Sequence, residues 1–294
     1  MTADLVAIVL NWNGEHDTAA CLDALMGQEQ VAMEILLVDN GSLDGSGERL
    51  RVRYPTVKYL QTGANLGYAG GNNRGIEWAV ARGAEWVLVV NNDTVADVAC
   101  VHHLITAARL DGRIGALAPL IVRFDAPDRI WFAGGSLSLV RALGRHDAEG
   151  RTIRDIAIDG PDAEWRQCTF LTGCCILFRA RALADTGLFR EDFFAYVEDV
   201  ELSLRLTRAG WLLGWVPAAR LAHRVPAEGL SPSPMQIVLR DRNRRRMVRA
   251  LYPWYLRLIF LGWFWPTRII SLLRYMLGGD WERSRAILKG ASAR

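Results

Sequence analysis

Hydrophobic and polar positions in this chain are segregated into blocks. Residues 5–10 (Leu-Val-Ala-Ile-Val-Leu), 35–38 (Ile-Leu-Leu-Val) and 86–90 (Trp-Val-Leu-Val-Val) are unbroken apolar runs rich in β-branched side chains, the pattern of strands covered on both faces. Each run empties into small polar residues: Asn11-Trp12-Asn13-Gly14 after the first, Asp39-Asn40-Gly41-Ser42-Leu43-Asp44-Gly45-Ser46 after the second, Asn91-Asn92-Asp93 after the third. A helical stretch carrying Ala19, Leu22, Leu25 and Met26 follows the first. Alternating strands and helices predict an α/β fold with a mostly parallel sheet flanked by helices and a polar rim along one edge. Open sheets of that kind bind their ligands at this edge.

Chemistry suggests itself at several points along the rim. Asp93, with two amides before it, suits a hard cation held through oxygen and shared with a diphosphate; the same three residues also serve as an ordinary strand-to-helix turn. Residues 65–75 combine Gly67, Gly70, Gly71 and Gly75 with Asn65, Asn72, Asn73 and Arg74, a glycine-rich loop through which backbone can approach a ligand. Its exit into the helical stretch 76–82 adds a positive helix end that favours phosphate. Further on, Val200 with Leu204 and Leu202 with Leu206 form a helical stripe that puts Glu198 and Asp199 at a helix start. Acids there also complement the helix dipole at ~0.3 to 1 kcal/mol each, so spacing alone leaves a structural role open. His223 follows a strand expected over 211–216, where both packing and metal ligation are open to it. Trp12, Tyr68, Trp131 and Tyr196 can stack on sugars or simply pack.

Taken in order, these segments resemble glycosyltransferase family 2, the inverting nucleotide-sugar enzymes of GT-A fold, in its rhamnosyltransferase-like branch. The resemblance covers roughly residues 4–245. It rests on residues 9–14, 37–46, 65–75 and 91–93, then on 170–179 (Phe-Leu-Thr-Gly-Cys-Cys-Ile-Leu-Phe-Arg), 187–194 (Gly-Leu-Phe-Arg-Glu-Asp-Phe-Phe) and 198–202 (Glu-Asp-Val-Glu-Leu). It implies that Asp39 reads the nucleotide base by accepting from an imide N–H, as an ionised carboxylate can, with Asn11 walling the same pocket. Asn13, Asn40, Ser42, Asn65, Gly67, Asn72, Arg74, Asn91 and Asn92 would complete the nucleotide-sugar site. Asp93 would bind a divalent metal, Mg²⁺ or Mn²⁺, with His223 as a second ligand. Asp199 would be the general base toward the acceptor hydroxyl. Arg240, Arg242 and Asn243 match an Arg-Asn element expected at the diphosphate or in closing the site. The chain departs from the common family pattern in carrying amides at two of the three metal-motif positions, which implies weak metal affinity without nucleotide.

The overall charge of +3 conceals a division. Residues 240–294 contain 13 basic and 3 acidic residues, residues 1–239 contain 22 and 29. The expected organisation is therefore a catalytic domain over 1–239, with the nucleotide-sugar part in about 1–110 and the acceptor part in about 111–239, and a basic, aromatic helical extension over 240–294. The longest uncharged stretch there, 258–267, is far below the ~20 residues that span a bilayer, and Pro266 should break it. Arginines interleaved with Trp and Tyr fit a helix lying on an anionic membrane surface; a homodimer interface or packing on the catalytic domain is the alternative. The acidic remainder and the absence of a nucleic-acid motif argue against nucleic-acid binding. Five cysteines without a C-x-x-C pair read as reduced core thiols, and a start without a basic leader argues against secretion. The resulting expectation is a cytoplasmic enzyme, peripheral on the inner face of the membrane, that moves rhamnose from dTDP-rhamnose to a cell-envelope glycan or lipid-linked acceptor. Transfer from UDP-galactofuranose, UDP-GlcNAc or GDP-mannose, or non-catalytic binding of a nucleotide sugar, stands as the alternative.

Overall fold

The computed structural model describes residues 4–156, 164–225 and 232–292. The order is β1 (Leu5–Asn11), α1 (Glu15–Met26), β2 (Glu34–Asp39), α2 (Ser46–Arg53), β3 (Lys58–Gln61), α3 (Gly67–Val80), β4 (Trp86–Asn91), β5 (Thr94–Ala96) and α4 (Cys100–Ala108). Then come β6 (Ile114–Arg123), β7 (Ile130–Phe132), β8 (Gly135–Ser138), β9 (Leu143–His146), β10 (Arg166–Cys168), β11 (Cys175–Arg179), α5 (Ala180–Thr186), α6 (Glu198–Arg208) and β12 (Leu212–His223). Three helices end the chain: α7 (Pro234–Leu251), α8 (Trp254–Leu277) and α9 (Trp281–Ser292).

The central sheet runs β10-β12-β6-β11-β4-β1-β2-β3. Strands β3, β2, β1 and β4 are mutually parallel, as are β6 and β12, while β11 enters antiparallel between the two groups. Short antiparallel strands, β5 on β12 and β7 on β6, trim the far side, and β8 with β9 forms a separate hairpin. Ala7, Ile8, Val9, Leu36, Val38, Val87 and Val89 are almost wholly enclosed, as the unbroken apolar runs predict for strands covered on both faces. The register pairs Asn11 with Asp39 across β1 and β2, and Leu10 with Asn91 across β1 and β4, so the three polar segments end side by side.

The glycine-rich segment departs from its expectation as a loop. From Gly67 onward it is helix α3. The glycines are there for packing: a Cβ on Gly71 would stand 2.5 Å from Leu10 Cδ1, and one on Gly75 2.6 Å from Ile8 Cγ2. Helix α3 thus seats on the sheet at a distance no side chain would permit.

Residue 239, the expected domain edge, lies within α7. That helix begins with a capping box, Ser233 Oγ accepting from Gln236 N at 3.2 Å and Gln236 Oε1 accepting from Ser233 N at 2.8 Å, with Pro234 in the first turn. Its Met247 and Val248 join the main core, as do Phe260 and Phe264 of α8. The break expected at Pro266 does not occur: α8 continues to Leu277, and Thr267 Oγ1 donates back to Phe264 O at 2.8 Å. By length and composition α8 could cross a membrane, at a mean hydropathy of 1.3 over its most apolar window. One face packs inward through Phe260, Phe264 and Arg268, whose guanidinium meets the buried Asp241 of α7 at 3.0 Å. The opposite face leaves Leu258, Ile259, Ile269, Ile270, Leu273 and Leu277 exposed.

Candidate active site

The polar ends of β1, β2 and β4 are tied together by one buried amide. Asn11, fully enclosed, donates from Nδ2 to Asp39 Oδ1, Ser42 Oγ and Ser46 Oγ at 3.3, 3.0 and 3.0 Å, and accepts at Oδ1 from Gly14 N and Thr18 Oγ1 at 3.3 and 2.9 Å. Thr18 in turn receives Asn92 Nδ2 at 2.9 Å. Asn13 bridges the first two loops, its Oδ1 accepting from Leu43 N at 2.9 Å and its N–H donating to Ser42 Oγ. Asp39 is buried behind this network, with Ser42 on one oxygen and Tyr59 and Gln61 donating to the other. A nucleobase reaching Asp39 would compete with Tyr59 and Gln61, two residues of β3 that the sequence did not mark.

A cavity of about 380 Å³ opens beside these strand ends. Asn40, Asn65, Gly67, Asn91, Asn92 and Asp93 line it, together with Trp12, Tyr68, Phe194, Ala195, Tyr196, Met235 and Leu239. Asn11, Asn13, Asp39, Ser42, Asn72, Arg74, Asp199 and His223 do not. Asn40 braces the entry to α3, donating to Asn65 Oδ1 and Gly67 O at 3.2 and 3.0 Å. Asn72 is turned into its own helix, donating to Tyr68 O at 2.9 Å. Arg74 lies on the outer face of α3, paired with Glu77 at 2.8 Å and Glu191 at 3.5 Å. Open depressions of about 510 and 420 Å³ lie along the β8–β9 hairpin and beside β3, but neither lies at the polar ends of β1, β2 and β4.

The pairing of β5 with β12 sets His223 opposite Thr94, and so delivers it to Asp93. His223 Nε2 lies 3.3 Å from Asp93 Oδ1. Neither Asp93 Oδ1 nor His223 Nδ1 has a hydrogen-bond partner, although both are buried. Asp93 Oδ1 and His223 Nε2, 3.3 Å apart with a cavity on the carboxylate side, fit a divalent ion that takes its remaining ligands from water and diphosphate. No cluster of three His, Cys, Asp or Glu exists among the described residues, so any such ion would depend on its substrate for ligands. Trp131 is not offered to the cavity. It packs edge-on between His223 and His146, at centroid distances of 4.5 and 4.6 Å.

Phe194, Ala195 and Tyr196 form the other wall, and the chain runs on from them to Asp199. Phe194 (φ 64°, ψ −63°) centres a γ-turn closed by Ala195 N donating to Phe193 O at 2.8 Å, and Tyr196 and Val197 follow at φ 68° and 74°. Side chains rarely adopt such backbone, a β-branched one least of all, and each instance costs on the order of 1 to 3 kcal/mol. Val197 then caps α6, placing Glu198 and Asp199 in its first turn. Asp199 Oδ2 accepts from Gly173 N at 3.0 Å and Oδ1 from Val200 N at 2.8 Å. Glu198 is buried and its Oε2 has no partner. Burial, and then the neighbouring Asp199, push the Glu198 carboxyl well up; burial raises Asp199 too, opposed by its two backbone N–H donors and by His146. The pair's negative charge therefore belongs on Asp199 and its proton on Glu198. Tyr68, whose hydroxyl donates to Gly173 O, stands between this pair and the cavity, its phenol pushed well up by burial and the two acids.

The Arg-Asn element holds protein backbone. Arg242 Nη2 donates to Asp192 O and Phe193 O at 3.2 and 2.9 Å, and Asn243 Nδ2 meets the carbonyls of Phe193, Ala195 and Tyr196. Arg240 lines a separate cavity of about 220 Å³ with Arg244 and Arg268.

The family model for Glycosyl transferase family 2 matches residues 6–187. An N-acetylglucosaminyl-diphospho-decaprenol L-rhamnosyltransferase of Mycobacterium tuberculosis is 36% identical over 252 residues, 79% of this chain and 80% of that protein. Galactofuranosyltransferase GlfT1 of the same species is 28% identical over 236 residues, 79% and 74% of the two chains. Among solved structures, mannosyltransferase PcManGT from Pyrobaculum calidifontis, in complex with GDP-Man and Mn²⁺, superposes with a TM-score of 0.60 at 15% identity over 99% of this chain and 86% of that one. GalNAc-T7 with UDP, GalNAc and Mn²⁺ gives 0.66 at 16% identity; 86% of this chain is covered, and about half of that one, 49%. The chain belongs to glycosyltransferase family 2, is a glycosyltransferase, and has the GT-A fold.

Proposed function

We propose that this family 2 enzyme transfers rhamnose from dTDP-rhamnose, with inversion, to a hydroxyl of a lipid-linked glycan at the cytoplasmic face of the membrane. The observation that carries the proposal is one cavity lined by Asp93, with His223 beside that carboxylate at 3.3 Å, on one side and the backbone leading to Asp199 on the other. The choice of sugar and acceptor leans on the rhamnosyltransferase relative. In this reading the Asn11 network holds Asp39, Asn13 and Ser42 for the nucleotide. Asn40, Asn65, Gly67, Asn91 and Asn92 border the sugar and diphosphate, with Asn72 and Arg74 behind them on α3.

Asp93 and His223 would hold a Mg²⁺ or Mn²⁺ ion, which when bound supplies Lewis-acid stabilisation to the departing diphosphate. Asp199 takes the proton of the acceptor hydroxyl as its oxygen attacks the anomeric carbon. The bond from that carbon to the diphosphate breaks, and its electron pair leaves with the nucleoside diphosphate. A single base suffices, because one hydroxyl loses one proton in a displacement on the face opposite the leaving group. Glu198, holding its proton, leaves Asp199 as the ionised member of the pair. Trp12 and Tyr196, at the rim and more than a third exposed, offer flat apolar faces to sugar or lipid.

The exposed apolar face of α8 and the surplus arginines of residues 240–294 suit docking onto an anionic bilayer. In this reading α8 lies on the surface without crossing it, which the pairing of Arg268 with the buried Asp241 of α7 supports. Sedimentation with anionic vesicles, weaker at high salt and lost in Ile270→Glu with Leu273→Glu, is expected. A stable dimer that ignores vesicles and is split by the same double variant would make this face a subunit interface.

The chemistry is tested by offering dTDP-rhamnose, UDP-galactofuranose, UDP-GlcNAc and GDP-mannose, with and without Mn²⁺ or Mg²⁺, to a short-chain N-acetylglucosaminyl diphospho-polyprenol. Metal-dependent transfer from dTDP-rhamnose, with an anomer opposite to the donor's, is the expected product. Preferential use of a UDP- or GDP-sugar would replace the donor assignment, and binding of nucleotide sugar without transfer or hydrolysis would reduce the protein to a binder.

A further inference from the structure

Three of the six non-glycine residues with positive φ among the described residues fall at 194, 196 and 197. Strain concentrated in this way persists only where the surroundings over-determine it. Two elements grip the segment. On the α3 side, Ala69 N donates to Phe194 O at 3.1 Å, and Gly67 comes so near that a Cβ there would lie 2.4 Å from the same oxygen. On the α7 side stands Asn243, fully buried, its Nδ2 at 2.9, 2.9 and 2.7 Å from the carbonyl oxygens of Phe193, Ala195 and Tyr196, and its Oδ1 accepting from Arg242 Nε at 3.0 Å. An amide has two N–H groups, so they are shared among the three acceptors. The three carbonyls surround each strained position: one precedes Phe194, one links it to Tyr196, and one joins Tyr196 to Val197.

We infer that Asn243 is a positioning residue for the acceptor side of the site, its amide holding residues 193–197 in the shape that places the cavity wall and delivers Asp199 at the start of α6. The inference rests on the reading of Asp199 as the base. The Asn243 amide lies 47 to 50 residues from the carbonyls it holds. Nothing in the Asn11 network touches it, so the nucleotide side should not sense its loss. A misplacement of the reacting groups by about 1 Å lowers a rate on the order of 10²-fold.

The test uses the full chain, with dTDP-rhamnose (or whichever donor of the panel the wild type turns over) and the short-chain lipid acceptor. Asn243→Ala should lower kcat by about 10- to 100-fold, with the Kd for dTDP in Mn²⁺ changed less than twofold. Asn243→Asp should lose more, since a carboxylate oxygen would face three carbonyls. Adding Val197→Gly to Asn243→Ala should recover threefold or more of the lost kcat, because glycine adopts φ near +74° without a side-chain clash; a merely structural defect would grow worse with a second core truncation. Unchanged kcat in Asn243→Ala, a dTDP affinity that falls in step with kcat, or no recovery in the double variant would each overturn the inference. If Asn243→Asp does not fold, the Asn243→Ala pair decides. Asp199→Asn in the same assay tests the base separately: full activity there would remove the base reading while the kcat values of the Asn243 variants still report on the wall.

Discussion

The two sides of the cavity are built by opposite means. The side read as the nucleotide's stands on the ends of three parallel strands whose register aligns their polar segments, and Asn11 ties those segments together through hydrogen bonds, with Asn13 the one non-glycine residue there at positive φ. The acceptor side is a strained turn between a 3₁₀ turn and α6, held from outside by α3 and α7. A sheet edge presents polar groups wherever its strands end, so that side tolerates variation in its neighbours. The other side is right only while Asn243, Arg242 and Gly67 all hold it. Specificity toward acceptors should therefore respond to distant changes in α7 more readily than specificity toward nucleotides.

The largest effects should fall on Asp93 and Asp199, one belonging to each side of this division, and they should differ in kind. Asp93→Ala should abolish transfer together with the metal dependence of nucleotide binding, because it removes the anionic ligand. Asp199→Asn should lower transfer by about 10² to 10⁴, with the metal-dependent affinity for dTDP intact. Calorimetric titration of dTDP in Mn²⁺ and in EDTA distinguishes the two. Should Asp93→Ala keep its full rate at saturating donor, or Asp199→Asn lose nucleotide affinity as steeply as rate, the division of labour would be wrong.

Much of the nucleotide side was legible in the sequence because its signals are local. An apolar run that ends at Asp39 or Asn91 declares both the strand and its rim, and Asn11, Asn40 and Asp93 do sit at those ends. Residues 65–75 read as a loop in the sequence because glycine is a poor helix former in isolation; contact with Leu10 and Ile8, distant in sequence, accompanies the helix from Gly67. Tyr59 and Gln61 carried no signal, since a four-residue strand of mixed polarity does not reveal which face meets Asp39. On the acceptor side Glu198 and Asp199 could be placed at a helix start, but not the positive φ of Phe194, Tyr196 and Val197. No residue preference announces those angles, and the amide that secures them lies in another helix. Pro266 misled in the same way: tertiary packing carries α8 through a residue that would end a free helix.

A smaller effect would sharpen the comparison from within the acid pair. Glu198 is raised by burial first and by Asp199 second, so the folded state holds its proton more tightly than the unfolded chain does. Below about pH 4.3, the ordinary glutamate value, both states are protonated and the contribution to stability is fully present. As pH rises from there through the raised value, the contribution is lost, and the wild type should lose melting temperature relative to Glu198→Gln, which carries no ionisable proton. The difference between the two curves should widen from about pH 5 upward in the direction of a more stable variant. Transfer by Glu198→Gln should stay within about tenfold of wild type, since an amide keeps the bulk of the side chain beside an ionised Asp199. Losses in Glu198→Gln equal to those in Asp199→Asn, with both melting temperatures lowered at every pH, would instead make the two acids a cap for α6 and leave the acceptor side without its base.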